Sequence, residues 1–344
     1  MNPYISDILS QPVALKRVLD SFAPEPVLTL SKKIHDGEFD RIVITAMGAS
    51  YNAAYPAYLQ LSQLAIPVML VNAAELVHYA RSLISPRTLL WMNSQSGRSA
   101  EIVSLLDHIQ AAPPAGMIAF TNDDSSPLAT AADYHQHIHA GAENMVSTKT
   151  YINMLALNSL VALSLSAGDV WKALKELLAA SEAMRVYLED WRSHLSELDN
   201  RLGEFDDLIL LGRGVSMSTV WNGALINKEA AKWALEGMNS ADFRHGPLEL
   251  VEPGFVALVL AGAPETAKLN RNLALEITNL GGRALWLDST PDDQLSSVLI
   301  PQTSQLGLPL IEILPLQLLS LLLASRKGIQ AGQFRYISKI TTEE

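Results

Sequence analysis

A chain of 344 residues, 49% of them hydrophobic and 18% charged, is too long for one ordinary core and suits two globular domains of about 150 residues each. Its net charge of −11, with no run of lysine or arginine, excludes the basic footprint that nucleic-acid and anionic-membrane binding need, so an anionic ligand has to be held by local dipoles. The absence of cysteine excludes disulfides and thiolate metal sites, and the mixed residues from Met1 to Leu19 do not form a signal sequence, so a soluble, cytoplasmic protein is expected.

Residues 1–24 read as a helical arm. Apolar positions at Ile5, Ile8 and Leu9 and then at Leu15, Val18 and Leu19, with Pro12 between the groups, predict a short helix, a break and a second helix that packs on a partner or on the second domain. A first domain is expected over residues 25–168. It opens with a strand at Arg41–Ala46, and the turn Met47-Gly48-Ala49-Ser50 starts a helix that runs to about Leu64. Further strands are predicted at Pro67–Val71, Thr88–Met92, Met117–Phe120 and His135–His139. Strands alternating with helices indicate an α/β fold with a doubly wound, mainly parallel sheet flanked by helices.

The loop Asn93-Ser94-Gln95-Ser96-Gly97-Arg98-Ser99 follows the third strand and precedes Ala100–Leu106, which has helical spacing and Glu101 in its first turn. Ser94, Gln95, Ser96 and Ser99 surround one glycine where a new helix leaves N–H groups free, so donors and the helix dipole converge as they do at phosphate sites. The competing reading is a capping loop in which Ser96 or Ser99 satisfies the helix N-terminus. His135, His137 and His139 alternate along their strand as three metal ligands could, but no carboxylate motif accompanies them, and they are read as an exposed polar face with no metal.

Residues 169–202 suit a helical connector, 203–328 a second domain and 329–344 a C-terminal tail. The second domain repeats the opening of the first: the strand Asp207–Leu211 leads into Gly212-Arg213-Gly214-Val215-Ser216 and another helix. Gly48-Ala49-Ser50 matches Gly214-Val215-Ser216, the segment 72–75 matches 239–242, and 120–123 resembles 286–289, all at offsets of 166 or 167 residues. That shared offset indicates two copies of one domain. The Gly212-Arg213-Gly214 turn lacks a full dinucleotide fingerprint and is read as the second copy's vestigial phosphate turn. Leu308–Ala324 is about 17 residues long and is interrupted by Glu312, Pro315 and Gln317, so a buried helix is expected rather than a span of roughly 20 residues.

These motifs, with Ser147-Thr148-Lys149, Gly223-Ala224-Leu225, Lys228-Glu229, Arg244-His245-Gly246-Pro247 and Pro315–Leu319, resemble the tandem sugar isomerase (SIS) domain family nearly end to end. The family includes the isomerase half of glucosamine-6-phosphate synthase and stand-alone phosphosugar isomerases, amino-sugar-phosphate deaminases and fructosamine-phosphate deglycases. The synthase's glutaminase domain is expected to be absent, because the arm starts at residue 1. The form Phe243–Pro247 resembles the stand-alone members more than the synthase. The resemblance implies a small-molecule sugar phosphate as ligand, no cofactor, and a homodimer with a shared active site.

Carried over position by position, it implies that Ser50, Ser94, Gln95, Ser96 and Ser99 hold the phosphate, with Gly48, Ala49 and Ser147 beside the sugar. Glu229 corresponds to the acid/base that moves the proton between C1 and C2. His245 corresponds to the ring-opening histidine, which in the family comes from the neighbouring subunit, and Lys339 to the C-terminal lysine that closes over the sugar. One position departs: the family's lysine three residues before the glutamate is Ile226 here, which leaves Glu229 with Lys339 or Lys228 for proton transfer.

The residue types suit that chemistry on their own terms. Histidine titrates near neutrality, a desolvated glutamate can act as a base, and a lysine can serve as a cation or form a Schiff base with an opened sugar. Each has a plainer alternative: His245 as a surface residue, Glu229 as a surface glutamate paired with Lys228 or Lys232, and Lys339 as a solvated lysine. The expected function is isomerisation or deamination of an amino-sugar 6-phosphate of the glucosamine-6-phosphate to fructose-6-phosphate type. The alternatives are a fructosamine-6-phosphate deglycase and a non-catalytic sugar-phosphate sensor.

Overall fold

The computed structural model describes residues 2–143, 146–336 and 338–339, and two compact units, each built on one sheet, make up the chain. One unit comprises Val13–Leu178 and Arg335–Glu344; the other comprises Met1–Pro12 and Ala179–Phe334.

The first sheet consists of β1 (Arg41–Ala46), β2 (Val68–Asn72), β3 (Thr88–Asn93), β4 (Gly116–Thr121) and β5 (Tyr134–His137), in the order β2-β1-β3-β4-β5 with every neighbour parallel. The runs Ile42-Val43-Ile44 and Leu89-Leu90-Trp91-Met92 are fully buried and apolar on both pleat faces. Such strands need cover on both sides, which helical crossovers between parallel strands supply. Helices Ala73–His78 and Ala100–Ile109 place Leu76, Val77, Ile102 and Leu105 against Val43, Leu90 and Met92 of the sheet. Each such side chain contributes roughly 1.5–3 kcal/mol by leaving water. Helix Lys149–Leu165 is buried nearly all round, as its lack of a polar face requires.

The strand order fixes where a ligand can sit. The chain leaves β1 for β2 on one side and returns to β3 on the other, so the connections from the carboxyl ends of β1 and β3 diverge and open a crevice between them.

The second sheet repeats this plan with β6 (Asp207–Gly212), β7 (Glu236–Asn239), β8 (Phe255–Leu260), β9 (Arg283–Asp288) and β10 (Ser296–Leu299), in the order β10-β9-β8-β6-β7. The correspondence reaches single side chains. Asn72 at the end of β2 and Asn239 at the end of β7 both cap the next helix by accepting from a backbone N–H two residues on, at 3.0 and 2.8 Å. Gly48 and Gly214, which open the turns after β1 and β6, both have positive φ, +51° and +56°. In this unit helices Met217–Ala231 and Leu308–Arg326 pack so closely that a Cβ on Gly223 would meet Leu316 Cδ1 at 2.4 Å.

Several elements depart from the sequence reading in extent. Helix Leu308–Arg326 runs 19 residues and is long and apolar enough to cross a membrane by length and composition alone, yet residues 309–324 are buried inside its unit. The break in the arm falls at Ser10, between helices Pro3–Leu9 and Gln11–Ser21, and Pro12 sits in the first turn of the second helix, where its missing N–H has no intrahelical partner to lose. Gln11 and Gln317 exchange two amide hydrogen bonds of 2.8 Å, and Tyr4 Oη lies 2.9 Å from Ser320 Oγ, which fixes the start of the chain to the buried helix. The 169–202 segment breaks at Asp190 into helices Val170–Glu189 and Trp191–Leu202. β5 stops at His137, so His139 lies past the strand with φ +49°, and the three histidines do not form one strand face. His135 bonds Thr121 Oγ1 at 2.8 Å, and His137 Nδ1 accepts from the His139 N–H at 2.9 Å. Among the described residues, no group of three His, Cys, Asp or Glu is arranged to hold a metal ion.

Candidate functional site

At the carboxyl ends of β1 and β3 lies a cavity of about 350 Å³. Its wall consists of Met47, Gly48, Ala49 and Ser50 after β1, Asn93, Ser94, Gln95, Ser96, Ser99 and Glu101 after β3, and Ser147 and Lys339 from further along the chain. The structure thus brings together nine of the residues singled out in the sequence: Gly48, Ala49, Ser50, Ser94, Gln95, Ser96, Ser99, Ser147 and Lys339.

Two helix N-termini meet here. Helix Gly48–Leu61 is preceded by Met47 and helix Ala100–Ile109 by Ser99, and neither N-cap residue makes a side-chain capping bond. The first-turn N–H groups of each helix therefore have no N-cap side chain as acceptor, and both dipoles put positive potential on the same space. The reading of Ser99 as a cap does not hold. Ser96 does bond the backbone, because its Oγ accepts from Arg98 N at 3.2 Å, and Ser94 Oγ accepts from Gly97 N at 3.1 Å. These bonds shape the loop with the hydroxyl oxygens as acceptors, and Ser94 Oγ also lies 3.5 Å from Ser99 Oγ.

The loop is held from behind. Asn93 donates to Asn158 Oδ1 at 2.9 Å and accepts from Trp91 Nε1 at 3.0 Å. Gly97 has φ +59° and no room for a side chain, since an added Cβ would meet Ser126 Oγ at 2.2 Å. Arg98 turns away to Asp123 Oδ2, 3.1 Å, and to the Ser125 carbonyl, 3.1 Å, so the loop's only cation is spent on its own scaffold.

Residues 38–164 match the SIS domain family. They form a SIS domain. Over 99% of its length the chain is 28% identical to a glutamine–fructose-6-phosphate aminotransferase (isomerizing) of Thermococcus kodakarensis, and it spans 58% of that protein. It superposes on the C-terminal domain of a glucosamine-fructose-6-phosphate aminotransferase from Francisella tularensis with a TM-score of 0.83 and 22% identity, covering 97% of this chain and 98% of that one. A glucosamine-6-phosphate deaminase from Thermotoga maritima superposes with a TM-score of 0.77 and 19% identity, covering 98% and 99%. With the second sheet repeating the first, the fold is that of two tandem SIS domains.

Two acidic residues of the first SIS domain escaped the sequence reading. Glu101 reads in sequence only as a favourable first-turn acid; it lines the cavity, and its Oε2 is buried with no hydrogen-bond partner among the described residues. Glu143 is fully buried and pairs with Lys339, whose Nζ lies 2.6 Å from Glu143 Oε2. Lys339 is therefore not a solvated tail lysine, and its side chain is 20% exposed.

The cavity wall comes from one unit, and Glu229 and His245 belong to the other. Glu229 stands half-buried in the last turn of helix Met217–Ala231. Lys228 faces Glu236 at 3.4 Å, and Lys232 donates to the Glu229 backbone carbonyl. Ile226, one turn earlier, is buried in the core. His245 is exposed in the turn after helix Ser240–Phe243, with its N–H on the Asp242 carbonyl at 2.9 Å.

In the second SIS domain the turn equivalent to Gly48–Ser50 is occupied by the protein itself. Ser216 Oγ donates to Glu312 Oε1 at 2.8 Å. Glu312 is fully buried, its Oε2 has no hydrogen-bond partner among the described residues, and burial, helped by the nearby Asp288, pushes its pKa up to about 8. An internal acid thus stands where the first domain offers a hydroxyl to a ligand. The sequence showed Glu312 only as an interruption in an apolar run.

Two outcomes follow from this geometry. Gly97→Ala should destabilise the protein by about 3 kcal/mol through left-handed strain and overlap with Ser126, and weaken inorganic phosphate binding; unfolding within about 0.5 kcal/mol of wild type would contradict it. Glu312 keeps a proton in the fold that the unfolded chain releases, so stability falls as pH rises from about 4.5 to about 8. Glu312→Gln should flatten that slope, by at most roughly 1.4 kcal/mol per pH unit, and raise the melting temperature at pH 8; parallel pH profiles would refute the assignment.

Proposed function

We propose that this protein is a phosphosugar isomerase that acts on an amino-sugar 6-phosphate, converting a glucosamine 6-phosphate type substrate to fructose 6-phosphate with release of ammonia. The observation that carries the reading is the cavity, in which two helix N-termini without side-chain caps, five serines and one glutamine converge. A dianionic phosphate satisfies these donors without a cationic cluster, which accords with a chain of net charge −11. Similarity to relatives named for fructose 6-phosphate and glucosamine 6-phosphate chemistry supports the same substrate class.

The steps assign the remaining residues. Ser50, Ser94, Gln95, Ser96 and Ser99 fix the phosphate and thereby the open sugar chain. His245, supplied by the neighbouring subunit of a homodimer, gives a proton to the ring oxygen and takes one from the C1 hydroxyl, opening the ring. Glu229 removes the proton from C2 to form an enaminol and returns it to C1, leaving an imine at C2. Water adds to the imine and ammonia leaves, so one water is consumed for each ammonia released. Lys339 stabilises the oxygen at C1 as charge develops. No metal or cofactor is needed for any step.

Ile226 in place of a lysine is the one observation that favours a non-catalytic sugar-phosphate-binding protein instead. Purified protein should release ammonia and fructose 6-phosphate in equal amounts from glucosamine 6-phosphate. Glu229→Gln should lower turnover by about 10²–10⁴-fold and keep sugar-phosphate affinity. Binding without turnover of amino-sugar or fructosamine 6-phosphates would replace the enzyme with the sensor, and unchanged turnover in the variant would remove Glu229 from the mechanism.

A further inference from the structure

Glu143 is a carboxylate with more partners than its burial alone would demand. Oε1 accepts from Thr148 N at 2.9 Å, from Thr148 Oγ1 at 2.9 Å and from Thr150 N at 3.3 Å. Oε2 accepts from Thr150 Oγ1 at 2.6 Å and from Lys339 Nζ at 2.6 Å. Five donors saturate the lone pairs of one carboxylate. Burial pushes its pKa up, but the Lys339 ammonium and the threonine donors outweigh that and hold the carboxyl below its ordinary value. Four of the five donors come from Thr148 and Thr150, at the start of helix Lys149–Leu165, whose dipole also favours an anion there. The charge is thus stabilised jointly by the tail lysine and by the threonine donors of its own segment.

Thr148 directly follows Ser147, and Ser147 and Lys339 line the same cavity. We propose that Glu143 is the positioning residue for Lys339: it fixes the ammonium in the cavity wall and aims it at the sugar rather than at the phosphate. The charge balance supplies the second half of that statement. An ammonium already paired with a buried carboxylate adds little attraction for a dianion, so phosphate affinity rests on the two helix N-termini while the lysine serves the reacting end of the open sugar. The kinetic half of this inference rests on the proposed isomerase reading, and the pairing itself does not.

The test uses the full chain and its Glu143→Gln variant. Acetylation by acetic anhydride is followed at Lys339 by peptide mass spectrometry, with the exposed Lys172 and Lys268 as internal references. In the wild type Lys339 should react more slowly than either reference, and equal rates would overturn the proposal even if the variant failed to fold. In Glu143→Gln the Lys339 rate should rise about fivefold or more with the references unchanged; an unchanged rate would overturn it. With glucosamine 6-phosphate, the variant should lose about 10²-fold in kcat with KM within about threefold, as expected for a misplaced group that does not bind the ground state. A rise in KM with kcat kept would mean that the pair serves phosphate binding or tail stability instead. Glu143→Asp, which keeps the charge, should recover part of kcat. Should the wild type turn over no sugar phosphate, the isomerase reading fails while the acetylation comparison still decides the pairing.

Discussion

The structure of the first SIS domain depends on bringing two helix N-termini without N-cap side-chain bonds to one place. Helices Gly48–Leu61 and Ala100–Ile109 both begin without a side-chain cap, and both begin at the reversal of strand order between β1 and β3. Uncapped first turns cost stability, since a capping side chain is worth about 1 kcal/mol. The surrounding fold offsets that cost with rigid support: Asn93 tied to the buried helix through Asn158, Gly97 pressed against Ser126, and Arg98 bound to Asp123 and Ser125. The donors are held in place before any ligand arrives, which is the condition under which fixed dipoles bind an anion well.

The second SIS domain shows what happens when the same scaffold closes that place. β6 and β8 meet at the same reversal, and Gly214 takes the same left-handed turn as Gly48. Glu312 then fills the position from the buried helix and takes the Ser216 hydroxyl. A neutral carboxyl at this point satisfies the serine and repels anions once it ionises. The two sheets thus carry one open cradle and one closed by its own side chain, and function is expected from the open one.

Much of this was legible in the sequence because its signals are local. Apolar runs such as Ile42-Val43-Ile44, the glycine turn at Gly48 and the serine loop after β3 all follow from backbone geometry and short-range pattern, and the 166–167 residue offset exposed the repeat. What escaped were acids whose meaning depends on distant parts of the chain. Glu101 reads as a dipole partner, Glu312 as a break in an apolar helix, and Glu143 as an unremarked loop residue, because burial and partners 96 to 196 residues away are not written in local spacing. Pro12 and His139 were misplaced for the opposite reason: proline is tolerated in a first helical turn, and a strand can end where its alternating pattern continues.

The central claim is that the first domain's cavity recognises a phosphate through helix N-termini rather than through cationic side chains. Isothermal titration of the wild-type protein with fructose 6-phosphate and with unphosphorylated fructose tests it most directly. The phosphorylated sugar should bind at least about a hundredfold more tightly, a difference of roughly 2.7 kcal/mol. Equal affinity for the two sugars would contradict the account.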